Sequence, residues 1–335
     1  MNKKNLIRNW DRRKILIAGI CIIIIISILA VQTRTNLNKN FNRVNLSDIS
    51  NSNANSSINT NYKYISTIPI KHVVVIVFEN QELNNILSNG PYFKYLYDTY
   101  GAVTNYYASC HPSASNYLAM TSGNTWECGS DAVNLFTTTN LGTLLENKNI
   151  SQGGNLSWSA YMESMPSPCY RSDSGEYAAR HNPFIYYADL VNTNLCRDHD
   201  VSLDVWNNSV SSGNIANFSF ISPNILNDGH DTSVTYADNW LRGFLTPLLT
   251  KPWAQKTVFF IVFDEGSTSN GFNGFTGGHT YMVAVSPYSS GLKVTNNTTH
   301  YNLLTTIEWL LNLGMTGNND NTSVYPPMKG LFNFT

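Results

Sequence analysis

Two short apolar runs in this chain end in polar pairs in the same way. Residues 73–78 run into Glu79-Asn80, and residues 258–263 run into Asp264-Glu265. Both runs are rich in Val, Ile and Phe and lack helical periodicity, which is typical of strands buried on both faces of a largely parallel sheet. Because open α/β sheets bind ligands in the crevice at the carboxyl ends of their strands, we expect these polar residues to meet at one site.

The predicted site would bring three carboxyl groups and one amide to the same edge of the sheet. The carboxylates would repel one another unless a cation lay among them. The alternative is that each acid is only a helix N-cap or a turn residue, as single examples often are. The repetition of the pattern at the ends of two strands favours the cation site.

The other periodic segments predict elements that cover or extend this sheet. Residues 91–100 and 301–313 have helical apolar spacing, and a shorter helical stretch ends at the break Ser122-Gly123. Residues 281–286 form another strand-like run. Together they predict an α/β fold whose central sheet is mixed but largely parallel, with helices on both faces.

The N-terminal segment carries a membrane signal. Six basic residues within residues 1–14 precede the aliphatic stretch 15–31, whose 17 residues lie at the lower limit of the roughly 17–25 that span a bilayer. This charge placement puts the N-terminus in the cytoplasm and the rest outside. We expect an uncleaved transmembrane anchor, since the stretch exceeds the ~7–15 residues of a signal-peptide core; a cleaved segment would give a secreted protein.

The rest of the chain consists of two segments that differ in composition. Residues 32–66 are rich in Asn and Ser and hold few large apolar residues, so we expect a disordered linker there. Residues 67–335 are long enough for one large domain, and no internal repeat or second linker divides them. The expected arrangement is therefore a single extracytoplasmic domain on a tether.

The charge balance excludes one class of partner. The chain has 21 basic and 22 acidic residues, and leaving out the six basic residues and Asp11 of the N-terminal segment gives the remainder a net charge of −6. A protein that binds a phosphate backbone needs the opposite sign, so we expect no nucleic-acid partner. The sequence carries no signal of the oligomeric state.

Four of the five cysteines lie outside the apolar stretch, and an oxidising compartment would pair them. Four cysteines permit three pairings, of which the short-range one joins Cys110 to Cys128 and Cys169 to Cys196. A thiolate metal site is the alternative, but none of the four forms the C-x-x-C pair that such sites usually contain. We therefore predict two disulfides.

Ser113 is a candidate nucleophile because of its position. It follows His111-Pro112 and precedes the short predicted helix that ends at Ser122-Gly123. The first turn of a helix presents backbone N–H groups and the positive end of the helix dipole, which stabilise an oxyanion or a phosphate. The alternative is an ordinary serine N-cap.

Five motifs, in this order, give the chain a specific resemblance to a known family. They are Glu79-Asn80, His111-Pro112-Ser113, Arg180-His181-Asn182-Pro183, Asn227-Asp228-Gly229-His230-Asp231 and Asp264-Glu265-Gly266. The order resembles the phosphoesterase family that contains secreted acid phosphatases and phosphocholine-type phospholipases C, which is similar in turn to the alkaline phosphatase superfamily. One departure bears on the local turn: Ser115 stands where those relatives carry a proline before Asn116.

The resemblance implies an alkaline phosphatase-like fold and hydrolysis through a phosphorylated hydroxyl. Ser113 would be the nucleophile, with His111 and His181 as further catalytic residues. A serine hydroxyl is a weak nucleophile, so the resemblance also implies a divalent metal ion beside it; Zn, Mn, Mg and Ca all remain open. The implied metal ligands are Glu79, Asn80, Ser113, His230, Asp264, Glu265 and His279.

Several of these residues have alternative roles. Arg180 and Asn116 would bind the substrate, although Arg180 could equally lie on the surface. His111 would protonate the leaving oxygen or bind phosphate, or it would only orient the Cys110 loop. For His181, His230 and His279 the alternative is a structural role, which is also what we expect of His72 and His300.

We expect a metal-dependent acid phosphatase that acts on small phosphate monoesters outside the cytoplasm. Within the same family, the alternative is a phospholipase C-type phosphodiesterase, whose phospholipid head group would lie at the membrane to which the domain is tethered. A non-catalytic surface-binding module is a further alternative, which the intact order of nucleophile and ligands disfavours. A metal-free serine hydrolase would need a G-x-S-x-G elbow, which the sequence lacks.

Overall fold

The central strand β1 shows how the two apolar runs fit together. The computed structural model describes residues 68–152 and 156–334, and there β1 (His72–Phe78) pairs in parallel with β7 (Thr257–Phe263). The register aligns Phe78 with Phe263, so the two strands end at the same level. Side chains of β1 alternate between two hydrophobic cores, one on each face of the sheet, as expected of a strand covered on both sides.

Within residues 68–152 and 156–334, the main sheet has eight strands in the order β10-β2-β9-β7-β1-β6-β4-β5. Strands β1, β4, β5, β6 and β7 run parallel, whereas β9 is antiparallel to both β7 and β2. This confirms the predicted mixed, largely parallel sheet. The remaining strands of this sheet are β2 (Gly101–Val103), β4 (Trp158–Met162), β5 (Asp200–Ser202), β6 (Phe218–Ser222), β9 (Met282–Val285) and β10 (Lys293–Val294).

A second sheet has three short strands in the order β11-β3-β8. They are β3 (Tyr106–Tyr107), β8 (His279–Thr280) and β11 (Thr298–Thr299). Strand β3 follows β2 closely along the chain, and β8 immediately precedes β9. Because β9 runs antiparallel to β7, the start of β9 lies near the carboxyl end of β7, and the small sheet therefore lies near that end.

Helices cover both faces of the main sheet, as predicted. Leu118 of α3 and Leu303 of α9 pack in the same core as Val73, whereas Phe93 of α2 and Leu241 of α8 pack in the core on the other face. The helices are α1 (Leu83–Asn89), α2 (Pro91–Thr99), α3 (Ala114–Ser122), α4 (Leu141–Gln152), α5 (Ala188–Val191), α6 (Leu195–His199), α7 (Asp204–Ser212), α8 (Val234–Leu249) and α9 (His300–Leu311).

The predictions for the N-terminal segment concern residues that are not described. The basic segment 1–14, the anchor 15–31 and the linker 32–66 all lie outside residues 68–152 and 156–334. Within those ranges, no helix combines the length and the apolar character needed to cross a membrane.

Two disulfides among the described residues cross-link the domain, with the predicted pairing. Cys110 is bonded to Cys128 and Cys169 to Cys196, with Cα–Cα distances of 5.9 and 5.5 Å. The first bridge encloses Ser113, so it closes the loop that carries the candidate nucleophile.

We predict that reducing both bridges destabilises the domain, because each bridge restricts the unfolded chain. Closing such loops contributes about 2–4 kcal/mol per bridge. Urea unfolding with and without reductant measures the effect as a shift of the midpoint. Peptide mapping without reductant provides the control, and four free thiols outside the apolar stretch would contradict the account.

Candidate active site

The parallel register of β1 and β7 builds the first half of the site. Asp264 N donates to Phe78 O over 2.9 Å, so the ladder continues to the ends of both strands. Asn80 then turns with a φ of 57°, a left-handed conformation that Asn tolerates better than most residues. Its backbone N–H donates to Asp264 Oδ1 over 3.1 Å. Glu79 and Asp264, both fully buried, are thereby brought to adjacent positions.

The start of α3 delivers Ser113 to Glu79. Ser113 is 3% exposed, and its Oγ donates a hydrogen bond to Glu79 Oε2 over 2.9 Å. The hydroxyl does not cap its own helix; instead, Ala114 N donates to Asp131 Oδ1 over 3.0 Å. The alternative of an ordinary serine N-cap is therefore wrong, and the hydroxyl is directed to the acidic cluster.

His181 and Asp228 complete the cluster from the other side. His181 Nε2 lies 3.4 Å from Glu79 Oε1, and its Nδ1 lies 3.2 Å from Asp228 Oδ2. The ring is buried and stacks on Tyr117, with 5.4 Å between ring centroids and an interplanar angle of 2°. Tyr117 OH in turn donates to Glu79 Oε1 over 2.5 Å. Glu79 is thus the common neighbour of Ser113, Tyr117 and His181.

Glu265 turns away from this centre, toward His111 and Asn116. Its Oε2 lies 3.0 Å from His111 Nδ1 and accepts a hydrogen bond from Asn116 Nδ2 over 3.1 Å. Asn116 also accepts from Ser109 N over 2.9 Å and donates to Cys110 O over 2.8 Å. Its amide is therefore engaged within the protein, which favours a role in holding the nucleophile loop over the predicted contact with substrate.

His230 and Arg180 lie at the edge of the cluster. The His181 and His230 rings are 5.7 Å apart. Gly229, with a φ of 95°, turns the chain between Asp228 and His230, and His230 N donates to Asp228 Oδ1 over 2.7 Å. His230 Nε2 faces Arg180 Nη2 at 3.3 Å, and its Nδ1 faces the neighbouring Asp231 at 2.6 Å. Both ring nitrogens have partners, so the metal-ligand prediction for His230 gains no support here.

His279 does not join the site. It lies on β8, where its Nε2 donates to Thr104 O over 2.9 Å and its ring stacks on Tyr107 with 5.0 Å between centroids. Among the described residues, His279 is not part of the group formed by Glu79, His181 and Asp228, and its role as a metal ligand stays a prediction.

His300 supports the site through the backbone. Its Nε2 donates to Asp264 O over 2.5 Å, and its Nδ1 accepts from Tyr106 OH over 2.9 Å. Burial lowers the pKa of His300 to about 4, which keeps the ring neutral and preserves this donor–acceptor pattern. His300 therefore has the expected structural role: it binds the backbone carbonyl of Asp264 and helps to hold that residue in place.

The buried acids resist carrying several negative charges at once. Burial, followed by the charges of Asp264 and Asp228, raises the pKa of Glu79 well above its usual range. Burial is also the main cause that raises the pKa of Asp228 to about 7 and that of Asp264 to about 6. Glu265 reaches a pKa of about 10, through burial and then the charge of Asp264. A bound cation would reverse these shifts.

Unpartnered acceptors show that the residues fit a divalent ion. Among the described residues, the buried side-chain atoms without a hydrogen-bond partner include Asn80 Oδ1, Asp228 Oδ2, Asp264 Oδ2 and both ring nitrogens of His181. Each such atom costs about 1–3 kcal/mol unless something binds it. Ligand atoms of Glu79, His181 and Asp228 all lie within 4.8 Å of one another. Carboxylate, amide and imidazole donors suit Zn, Mn or Mg.

Sequence reasoning missed two residues of the cluster. Asp228 stands inside one of the five motifs, beside the histidine that was chosen as a ligand, so the signal was present. Tyr117 lies four residues after Ser113 on α3 and therefore on the same face of that helix. That spacing could have identified it as a neighbour of the nucleophile.

Known proteins with similar sequences and folds carry related names. A probable acid phosphatase from Kluyveromyces lactis is 31% identical over 177 residues, which are 50% of this chain and 41% of that protein. A phosphatidylinositol-3-phosphatase from Mycobacterium tuberculosis is 27% identical over 269 residues, covering 78% of this chain and 82% of the relative. The alignment with the first relative thus spans less than half of that protein's length.

The fold has matches among solved structures. A protein of the alkaline phosphatase superfamily from Vibrio parahaemolyticus superposes with a TM-score of 0.53 at 14% identity, covering 75% of this chain and 69% of the other. The likeness shows the same fold. The model of the phosphoesterase family matches residues 87–314, a stretch that includes Ser113, His181, Asp228 and Asp264 but begins after Glu79. Since this match spans well over half of its length, the chain belongs to the phosphoesterase family.

Proposed function

We propose that the chain is a metal-dependent phosphatase that hydrolyses phosphate monoesters through a phosphoserine at Ser113. The observation that carries the proposal is the hydrogen bond from Ser113 Oγ to Glu79 Oε2 inside a buried cluster of acids and imidazole. Family membership and relatives named acid phosphatases support it. The disulfides support an oxidising location for the domain, consistent with the expected anchor or secretion signal.

Ser113 and Glu79 can together carry out the first step, the transfer of the phosphoryl group to the enzyme. Ser113 Oγ attacks phosphorus, the bond from phosphorus to the ester oxygen breaks, and the hydroxyl proton passes to Glu79, its hydrogen-bond acceptor. Water then cleaves the phosphoserine and releases phosphate. Tyr117 holds the other oxygen of Glu79, which keeps the acceptor in place. The leaving oxygen must gain a proton.

The metal would be held by the unpartnered donors around Glu79. Glu79, Asp228 and His181 form the closest set, and Asn80 and Asp264 add oxygen atoms. When bound, a divalent ion would supply Lewis-acid stabilisation of the negative charge that develops on phosphate.

His111 is the proposed source of the proton for the leaving group. The side chain is 32% exposed; its Nδ1 lies 3.0 Å from Glu265 and its Nε2 lies 3.1 Å from Thr268 O, so the ring is oriented and must exchange one of these contacts for the leaving oxygen. We predict that His111→Ala slows hydrolysis of an alkyl phosphate by roughly 10²-fold or more. The same change should cost little with p-nitrophenyl phosphate, whose leaving group departs without a proton.

The two substrates separate this role from its alternatives. Steady-state kinetics of the variant on both esters measure the difference. Equal losses on both substrates would show that His111 binds phosphate or only holds the loop.

A phosphorylated lipid head group is a second candidate substrate. The relative that aligns over the largest share of this chain among those described above is a phosphatidylinositol-3-phosphatase. A membrane-tethered domain would also meet lipid substrates readily. This candidate keeps the monoesterase chemistry and changes only the group attached to the phosphate.

Three substrates test the reaction class. The full chain is assayed on p-nitrophenyl phosphate, bis-p-nitrophenyl phosphate and phosphatidylcholine, before and after chelation. The proposal predicts turnover of the monoester that chelation removes. Preferred cleavage of the diester or of phosphatidylcholine would establish the phospholipase C-type alternative, and no turnover of any ester would favour a non-catalytic module.

A further inference from the structure

A cavity of about 600 Å³ carries two arginines that the proposed chemistry does not use. Its lining includes Arg171 and Arg197, together with Tyr170, Val191 and the disulfide-bonded Cys169. Among the described residues, none that lines this cavity carries a carboxylate. The Cys169–Cys196 bridge ties the two arginine-bearing segments together, because each arginine is one or two residues from a bridged cysteine. The cavity is therefore a basic site on a covalently fixed frame.

These arginines differ from Arg180 in how their charges are balanced. Arg180 lies 3.9 Å from both Asp131 and Asp173 and also faces His230, so its charge is compensated within the protein. In the described part of the chain, neither Arg171 nor Arg197 lies within 4.0 Å of a carboxylate oxygen. Arg171 is half-buried and Arg197 is exposed, and guanidinium groups without a carboxylate nearby are suited to an anionic ligand from solution.

Arg171 carries a further sign of a missing partner. Its Nε is buried, and it has no hydrogen-bond partner among the described residues. A buried donor without a protein partner needs water or a ligand to satisfy it, since leaving it unbound costs about 1–3 kcal/mol. An anionic oxygen would satisfy this donor.

Arg171 connects the basic cavity to a smaller one that contains Arg180. A second cavity, of about 220 Å³, is lined by Arg171 and Arg180 together with Asp131 and Asp173. Asp131 also accepts the backbone N–H of Ala114, the residue next to the nucleophile. Arg171 thus lines both cavities, and the smaller one leads toward the start of α3.

Building on the proposed function, we propose that Arg171 and Arg197 form a subsite for a second anionic group of the substrate. The subsite would take a phosphate or phosphodiester, whose paired oxygens match the fork of a guanidinium group. The preferred substrates would then be molecules that carry a second phosphate besides the scissile monoester. Both soluble bisphosphates and phosphorylated phosphoinositide head groups have this chemistry.

Matched substrates test the subsite. Glucose 1,6-bisphosphate is compared with glucose 6-phosphate on the full-length enzyme, on Arg197→Ala and Arg171→Gln, and on Arg242→Ala as the control. Arg242 is an exposed arginine on α8, which packs against the opposite face of the sheet from α3. We expect each subsite variant to raise KM for the bisphosphate about tenfold, as for loss of one hydrogen bond to a charged group. Its KM for the monophosphate and its kcat should change little.

Equal KM changes for both sugars, or no change for the sugars together with unchanged activity on the lipid described next, would overturn the subsite. Vesicles of phosphatidylcholine containing phosphatidylinositol 3-phosphate form the lipid arm, and selective loss of that activity alone would identify the lipid as the source of the second anion. If no ester is hydrolysed at all, the proposed function fails. Calorimetric binding of glucose 1,6-bisphosphate still tests the subsite in that case: binding that weakens in Arg197→Ala supports it, and binding that is unchanged or absent refutes it.

Discussion

Ser113→Ala should lower kcat by roughly 10³-fold or more, because the substitution removes the hydroxyl that the proposed mechanism uses as its nucleophile. The fold should survive, since only one small hydroxyl and its hydrogen bond to Glu79 are lost. Steady-state turnover of p-nitrophenyl phosphate measures the effect, and circular dichroism checks the fold.

Ser115→Ala is the matched control. Ser115 lies on the same helix and is equally buried, but its Oγ donates to Glu127 O over 2.9 Å rather than to the acidic cluster. We expect its kcat to stay within about tenfold of the wild type. Activity close to wild type in Ser113→Ala would show that Ser113 is not the nucleophile.

Chelation should abolish activity, and one divalent ion should restore it. Glu79, Asp228 and Asp264 are buried together, and only a cation lets all three remain ionised. Asp264→Asn should weaken metal retention and activity together. Asp98→Asn, which removes an exposed carboxylate on α2, is the control and should do neither. An active preparation without a stoichiometric ion would contradict this prediction.

The metal-free protein offers a readout besides activity. An acid whose pKa is raised in the folded state binds more protons folded than unfolded, so stability is full below the unfolded pKa and falls as pH rises. With unfolded values of about 4 and folded values of about 6 for Asp264 and about 7 for Asp228, these two acids should lower the Tm of the chelated protein as pH rises from about 4 to about 7. Adding the metal should flatten this dependence.

The half of the site built by strands was predictable because strand ends follow from local sequence. The runs before Glu79 and Asp264 are apolar at every position, so burial on both faces and a common edge could be inferred before the pairing was known. The register of β1 with β7 then makes the two acids neighbours. The position of the candidate nucleophile was predictable for a similar reason, since Ser113 stands at the start of a helix.

The half of the site built by loops depends on non-local packing. Asp228 rather than His230 meets His181, because the turn at Gly229 decides which side chain enters the cluster. His279 is held on β8 by the pairing of β8 with β3, two strands that are far apart in sequence. The motif around Asp228 marks the segment, but local composition and periodicity decide neither which of its side chains enters the cluster nor how β8 pairs.

The most direct test of the phosphoserine mechanism is to trap the intermediate. The full-length enzyme is quenched in acid during turnover of p-nitrophenyl phosphate, digested, and analysed by peptide mass spectrometry. The account predicts one added phosphoryl group on the peptide that contains Ser113, and none in Ser113→Ala. A phosphoryl group on another residue, or its absence at every time point while turnover continues, would contradict the central claim.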